Sequence, residues 1–112
     1  MASTDSEPGN EPGRAEVDAR AGPVLLEFGS ARCGHCRAAQ PLIEAAVAAH
    51  PGIERIRVED GPGRPLGRSF RVKLWPTLIF MRDGREIERL VRPQRTEVIA
   101  AALERIEAPD SR

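Results

Sequence analysis

Apolar and polar positions fall into blocks that read as discrete elements. Val24 to Gly29 (VLLEFG) is a near-continuous apolar run broken only by Glu27, the pattern of a strand buried on both faces. Ala39, Leu42, Ile43, Ala46 and Val47 recur at i, i+3, i+4, i+7 and i+8, which predicts a helix from about Cys36 to Ala49. Pro41 lies inside that pattern, and His50-Pro51-Gly52 ends it. Ile53 to Glu59 reads as a second strand. Asp60 to Gly67 reads as a loop, with a short helix near Leu66 to Phe70. Thr77 to Met81 and Arg85 to Val91 flank Asp83-Gly84, a strong hairpin signal. Thr96 to Glu107 is amphipathic, with Ile99, Ala102, Leu103 and Ile106 on one face.

The first two strands are joined by a helix and must run parallel, whereas the last two form an antiparallel hairpin. The expectation is an α/β chain with a mixed four-stranded sheet flanked by helices. Residues 1 to 22 are polar and rich in Pro, Gly, Ser and Glu, so they read as a weakly ordered tail, with at most a helical turn at Ala15 to Arg20. The domain proper is expected over 23–108, with 109–112 frayed.

With 112 residues the chain suffices for one domain. The 17 Lys and Arg balance 17 Asp and Glu without forming a basic block, which argues against nucleic acid or an anionic membrane as a partner. No apolar run approaches the roughly 20 residues of a transmembrane helix. The N-terminus lacks the basic start and apolar stretch of a secretory signal, so a cytoplasmic location is expected. Nothing in the pattern argues for more than a monomer.

The two cysteines are Cys33 and Cys36, in Cys33-Gly34-His35-Cys36, directly after the buried strand and at the opening of the helix. A helix N-terminus offers free N–H groups and a positive dipole end, and both stabilise a thiolate. Residues three apart around the first turn can bring their sulfurs within bonding range. Cys33 lies further out and is assigned the attack, and Cys36 the resolution of the mixed disulfide. Zinc or a cluster is the competing reading of C-x-x-C, but two Cys and two His, one at the far end of the helix, make a poor donor set. No metal or organic cofactor is expected. Protonated His35 would favour the thiolate and make the disulfide more oxidising. Glu27 is costly in a central strand unless paired or protonated.

LLEFGSARCGHCRAAQPLIEAA and LWPTLIFMRDGRE resemble the thioredoxin superfamily, and CGHC is the tetrad typical of protein disulfide isomerase domains. The resemblance spans about residues 23 to 107. It implies a thioredoxin-like fold, here with the N-terminal strand missing or eroded, and thiol–disulfide oxidoreductase activity on protein disulfide or dithiol clients, with a recycling reductase or oxidant. It also implies that Pro41 is the helix-kinking proline and that Pro76 is cis, its loop packed against the cysteines and the backbone before it pairing with the client. Glu27 would be the acid that relays a proton for Cys36, with Arg55 its basic partner.

The chain departs from the family at Arg32, where Trp is usual before the first cysteine, at Leu74-Trp75 before Pro76, and at Arg92-Pro93, where Gly is common. These departures put Trp75, flanked by Arg32 and Arg92, on the expected client face. They point to clients with an acidic or aromatic residue near the reactive cysteine. The alternative is a non-catalytic binding module or adaptor, for which the lost Trp and the bulky Trp75 speak. The direction of electron flow stays open, because a cytoplasmic setting suggests reduction and CGHC suggests oxidation or isomerisation.

Overall fold

The computed structural model describes residues 3–6 and 11–107. Its sheet has five strands: β1 (Ser3–Ser6), β2 (Pro23–Gly29), β3 (Glu54–Glu59), β4 (Thr77–Arg82) and β5 (Arg85–Val91), in spatial order β1-β3-β2-β4-β5. The helices are α1 (Arg14–Asp18), α2 (Gly34–Ala48), α3 (Pro65–Ser69) and α4 (Thr96–Glu107). β2 pairs in parallel with β3 and antiparallel with β4, and β5 closes the other edge antiparallel to β4. β2 to β5 form the expected mixed sheet of four strands with helices on both faces, and β1 adds a fifth. No described helix is long and apolar enough to cross a membrane.

The period of two along β2 sorts its side chains. Leu25 joins Leu78, Phe80, Ile43 and Ile99 in the core beneath α2 and α4. Val24, Leu26 and Phe28 join Val17, Ile56, Ile79 and Phe70 in the core on the opposite face. Glu27 therefore falls on the α2 face. α2 runs unbroken through Pro41.

Two expectations need correction. The N-terminal strand expected to be missing is present as β1, parallel to β3 with Ser3 opposite Arg55 and Ser6 opposite Val58. STDS has no apolar alternation, so a strand held by backbone pairing at a sheet edge leaves no hydrophobic signal. The stretch 1–22, read as a weakly ordered tail, also contains α1, whose Val17 is fully packed in the second core. Glu16 accepts from the Gly13 N–H at 2.8 Å, and the Arg14 guanidinium lies 3.7 Å from the centre of the Phe70 ring. One apolar residue among polar neighbours was too little pattern to reveal that contact. Residues 109–112 lie outside the described residues.

Candidate active site

The site is built where β2 hands over to α2. Cys33 is the N-cap of α2, with extended backbone (φ −90°, ψ 118°), and its Sγ accepts the Cys36 N–H at 3.2 Å. A sulfur here replaces the usual oxygen cap and meets the unsatisfied donors of the first turn. Cys33 is half-buried and Cys36 buried, and both are free thiols. Gly34 opens the helix.

The environments of the two thiols differ sharply. Burial pushes Cys33 up, but hydrogen bonds from the Cys36 thiol and from the backbone N–H groups of Cys36 and His35, with the charge of Arg92, bring it below its ordinary value. Cys36 is pushed up to about 12, first by burial, then by its hydrogen bond to Cys33 and by the charges of Cys33 and Glu27, against a backbone hydrogen bond at Ser30. The surroundings thus favour the thiolate of Cys33 and the protonated form of Cys36. His35 contributes its backbone N–H while its side chain is exposed, so the fixed cation beside Cys33 is Arg92.

The Trp75–Pro76 bond is cis. The Trp75 carbonyl faces Cys33, whose Sγ lies 3.8 Å away. The same carbonyl accepts from Arg92 Nε at 2.8 Å, and the Arg92 N–H donates to the Pro76 carbonyl at 2.9 Å. Arg92 adopts φ 52°, in the left-handed region that favours glycine. Leu74 is exposed and Arg32 is exposed at the loop before Cys33. Trp75 is half-buried and stays out of both cores. Its indole Nε1 donates to Asp60 at 2.9 Å.

Behind Cys36, Glu27 is buried and multiply held. Arg55 donates through Nε at 2.9 Å to Glu27 Oε1 and lies with a terminal nitrogen at 2.8 Å from it. Gln40 Nε2 donates to Glu27 Oε2 at 2.6 Å, and Arg57 Nε lies 3.8 Å from that oxygen. Arg55 also reaches Gln40 at 3.0 Å and Glu44 at 3.3 Å. An open cavity of about 270 Å³, lined by Cys36, Glu27, Gln40 and Arg57 among others, gives the carboxylate and the buried thiol a common route to solvent.

The structure thus brings Cys33, Cys36, Glu27, Arg55, Pro76, Trp75 and Arg92 around one point. Reading the sequence missed Gln40, Glu44, Arg57 and Asp60. The first two were legible, since Cys36, Gln40 and Glu44 are four apart on α2, and Arg57 sits directly opposite Glu27 in the β2–β3 register. Asp60 gave no signal, because its partner is fifteen positions away across a loop.

The thioredoxin family model matches residues 11–105. The reduced form of thioredoxin 2 from Pseudomonas aeruginosa PAO1 superposes with a TM-score of 0.76 at 55% identity, covering 85% of this chain and 88% of that one. A thioredoxin from Chlamydia trachomatis serovar D is 38% identical over 71 residues, 62% of this chain and 69% of that protein. Protein disulfide-isomerase A2 from Pongo abelii is 36% identical over 94 residues, 79% of this chain and 18% of that larger protein. With two cysteines three apart at a helix N-terminus, and relatives over most of its length, this chain belongs to the thioredoxin family and is a thiol–disulfide oxidoreductase.

Proposed function

We propose that the Cys33 thiolate attacks one sulfur of a client disulfide while Cys36 waits as a thiol. A Cys33–client S–S bond forms, the client S–S bond breaks, and the electron pair leaves on the client's other sulfur. Cys36 then passes its proton to Glu27, directly or through water in the cavity they share, and attacks Cys33 Sγ. The Cys33–Cys36 disulfide forms and the client leaves as a dithiol, two electrons having passed from protein to client. Run backwards, the same steps oxidise a client dithiol. The observation that carries this reading is the opposed environment of the two thiols: Cys33 lowered, Cys36 raised to about 12.

The other residues take supporting roles. Arg55 pairs with Glu27 and holds its carboxylate in place behind Cys36. Pro76 presents the Trp75 carbonyl beside the reacting sulfur, and Arg32, Leu74, Trp75 and Arg92 form the face against which a client lies. The clients are protein disulfides or dithiols, the protein acts as a monomer in the cytoplasm, and a separate reductase or oxidant restores it.

The test is trapping. Cys36→Ser is expected to accumulate a mixed disulfide with a disulfide-bonded client, seen by mass under acid quench, whereas Cys33→Ser accumulates none. A mixed disulfide in Cys33→Ser and none in Cys36→Ser would reverse the roles.

A further inference from the structure

Trp75 spans two places. Its carbonyl lies beside Cys33, and its indole walls a groove of about 260 Å³ together with Val72, Arg64, Arg68, Lys73 and Asp60. The indole is held in that position. Asp60 accepts its N–H at 2.9 Å, and Asp60 is itself fixed, because its backbone N–H donates to the Gly29 carbonyl at 2.7 Å and its carboxylate lies over Gly67. A Cβ at Gly67 would overlap that carboxylate, so the glycine makes the room.

The charges in the groove are one-sided. Asp60 is the one acid among the lining residues, and the indole N–H already engages it. Arg64 is engaged by the Glu59 carbonyl at 2.9 Å and by Glu11 at 3.3 Å. Arg68 and Lys73 are exposed, and their side chains form no ion pair with a described residue. Across the whole chain the formal charge is zero, so this cationic groove beside the reactive sulfur is a local feature. Trp75 links the two places, since its carbonyl lies 3.8 Å from Cys33 Sγ while its side chain lines the groove, so the groove faces client residues close in sequence to the reacting cysteine.

We propose that the groove between Trp75 and α3 is a client subsite for an acidic side chain near the reactive cysteine. Arg68 and Lys73 are its reading groups, and Asp60 is the positioning residue that holds the Trp75 wall. This rests on disulfide exchange at Cys33 and adds the partner's chemistry: a protein segment with Glu or Asp beside its cysteine.

The test uses the reduced full chain in single turnover against homodimeric peptide disulfides carrying Glu, Gln or Lys two residues from cysteine. Each rate is normalised to that of dithiothreitol with the same peptide, which removes intrinsic reactivity. The Glu peptide is expected to be favoured over Gln by about three- to tenfold at low salt, less at high salt, with Lys disfavoured. In the R68Q/K73Q variant the Glu-to-Gln ratio falls to about one. Asp60→Ala shifts the emission of Trp75, the sole tryptophan, and lowers the preference below that of Asp60→Asn, which removes the same charge. Asp60→Asn keeps an acceptor for the indole and so keeps the emission, and because it also removes the groove's one acid its Glu preference does not fall. Equal normalised rates for the three peptides, or a Glu preference that survives R68Q/K73Q, would overturn the subsite and leave exchange standing. No reaction with any peptide would overturn both.

Discussion

Replacing Glu27 by Gln separates two jobs done by one carboxylate. Glu27 is the main partner of Arg55, whose side chain is 4% exposed, and the variant leaves that buried guanidinium facing a neutral amide. Breaking a buried ion pair on one side costs 3–5 kcal/mol. The Gln oxygen still accepts one hydrogen bond and Glu44 still pairs at 3.3 Å, so a loss of about 3 kcal/mol is expected. For a chain of this length that lowers the melting temperature of the reduced protein by about 13 °C. The second job is proton acceptance from Cys36. Its loss should slow resolution of the mixed disulfide by about 10²–10⁴-fold, even though removing the Glu27 charge moves the Cys36 thiol down from its raised value. Stability is read by thermal unfolding, and resolution by acid-quenched mass analysis after mixing with a client disulfide. The double variant Glu27→Met with Arg55→Met removes the pair as a unit and should regain most of the stability while resolution stays slow. Resolution at the native rate in either variant would refute Glu27 as the base.

Three further outcomes follow from the geometry. Alkylation by iodoacetamide near neutral pH should modify Cys33 and spare Cys36; the Cys33 rate should rise with pH around a midpoint below 9.0, since the folded protein favours its thiolate, and equal labelling of both cysteines would contradict this. Gly84→Ala should destabilise by about 2 kcal/mol or more, read as a fall in melting temperature, because the glycine has φ 79° and an added Cβ would overlap the Asp18 carbonyl. Trp75→Ala should slow peptide reduction at unchanged Cys33 alkylation; an unchanged reduction rate would remove Trp75 from the client face.

Buried apolar runs and periodicity made β2 to β4, α2 and α4 legible, while β5, which buries none of its residues, was legible from the Asp83-Gly84 turn before it. β1 escaped because it is held by backbone pairing, and the helical turn read at Ala15 to Arg20 is α1, whose packing through a single buried Val17 and an Arg14–Phe70 contact left no pattern. At the site, Cys33, Cys36 and Glu27 announced themselves by chemistry that their positions must explain. Arg92 was legible as a cation near the client face, but its grip on the Trp75 carbonyl depends on a left-handed backbone that sequence does not display. The link from Trp75 to Asp60 to Gly67 joins two loop positions and one on α3 with no shared period, and only the folded chain shows it.

The most direct test of the account is a redox titration. The protein is equilibrated in graded thiol/disulfide buffers, quenched in acid, alkylated, and its free thiols counted by mass. The account predicts one two-electron transition in which Cys33 and Cys36 are lost together as an intramolecular disulfide. A midpoint near about −270 mV would assign reduction as the working direction, and one between roughly −180 and −120 mV oxidation or isomerisation. If no Cys33–Cys36 disulfide forms at any poise, thiol–disulfide exchange is not what this site does.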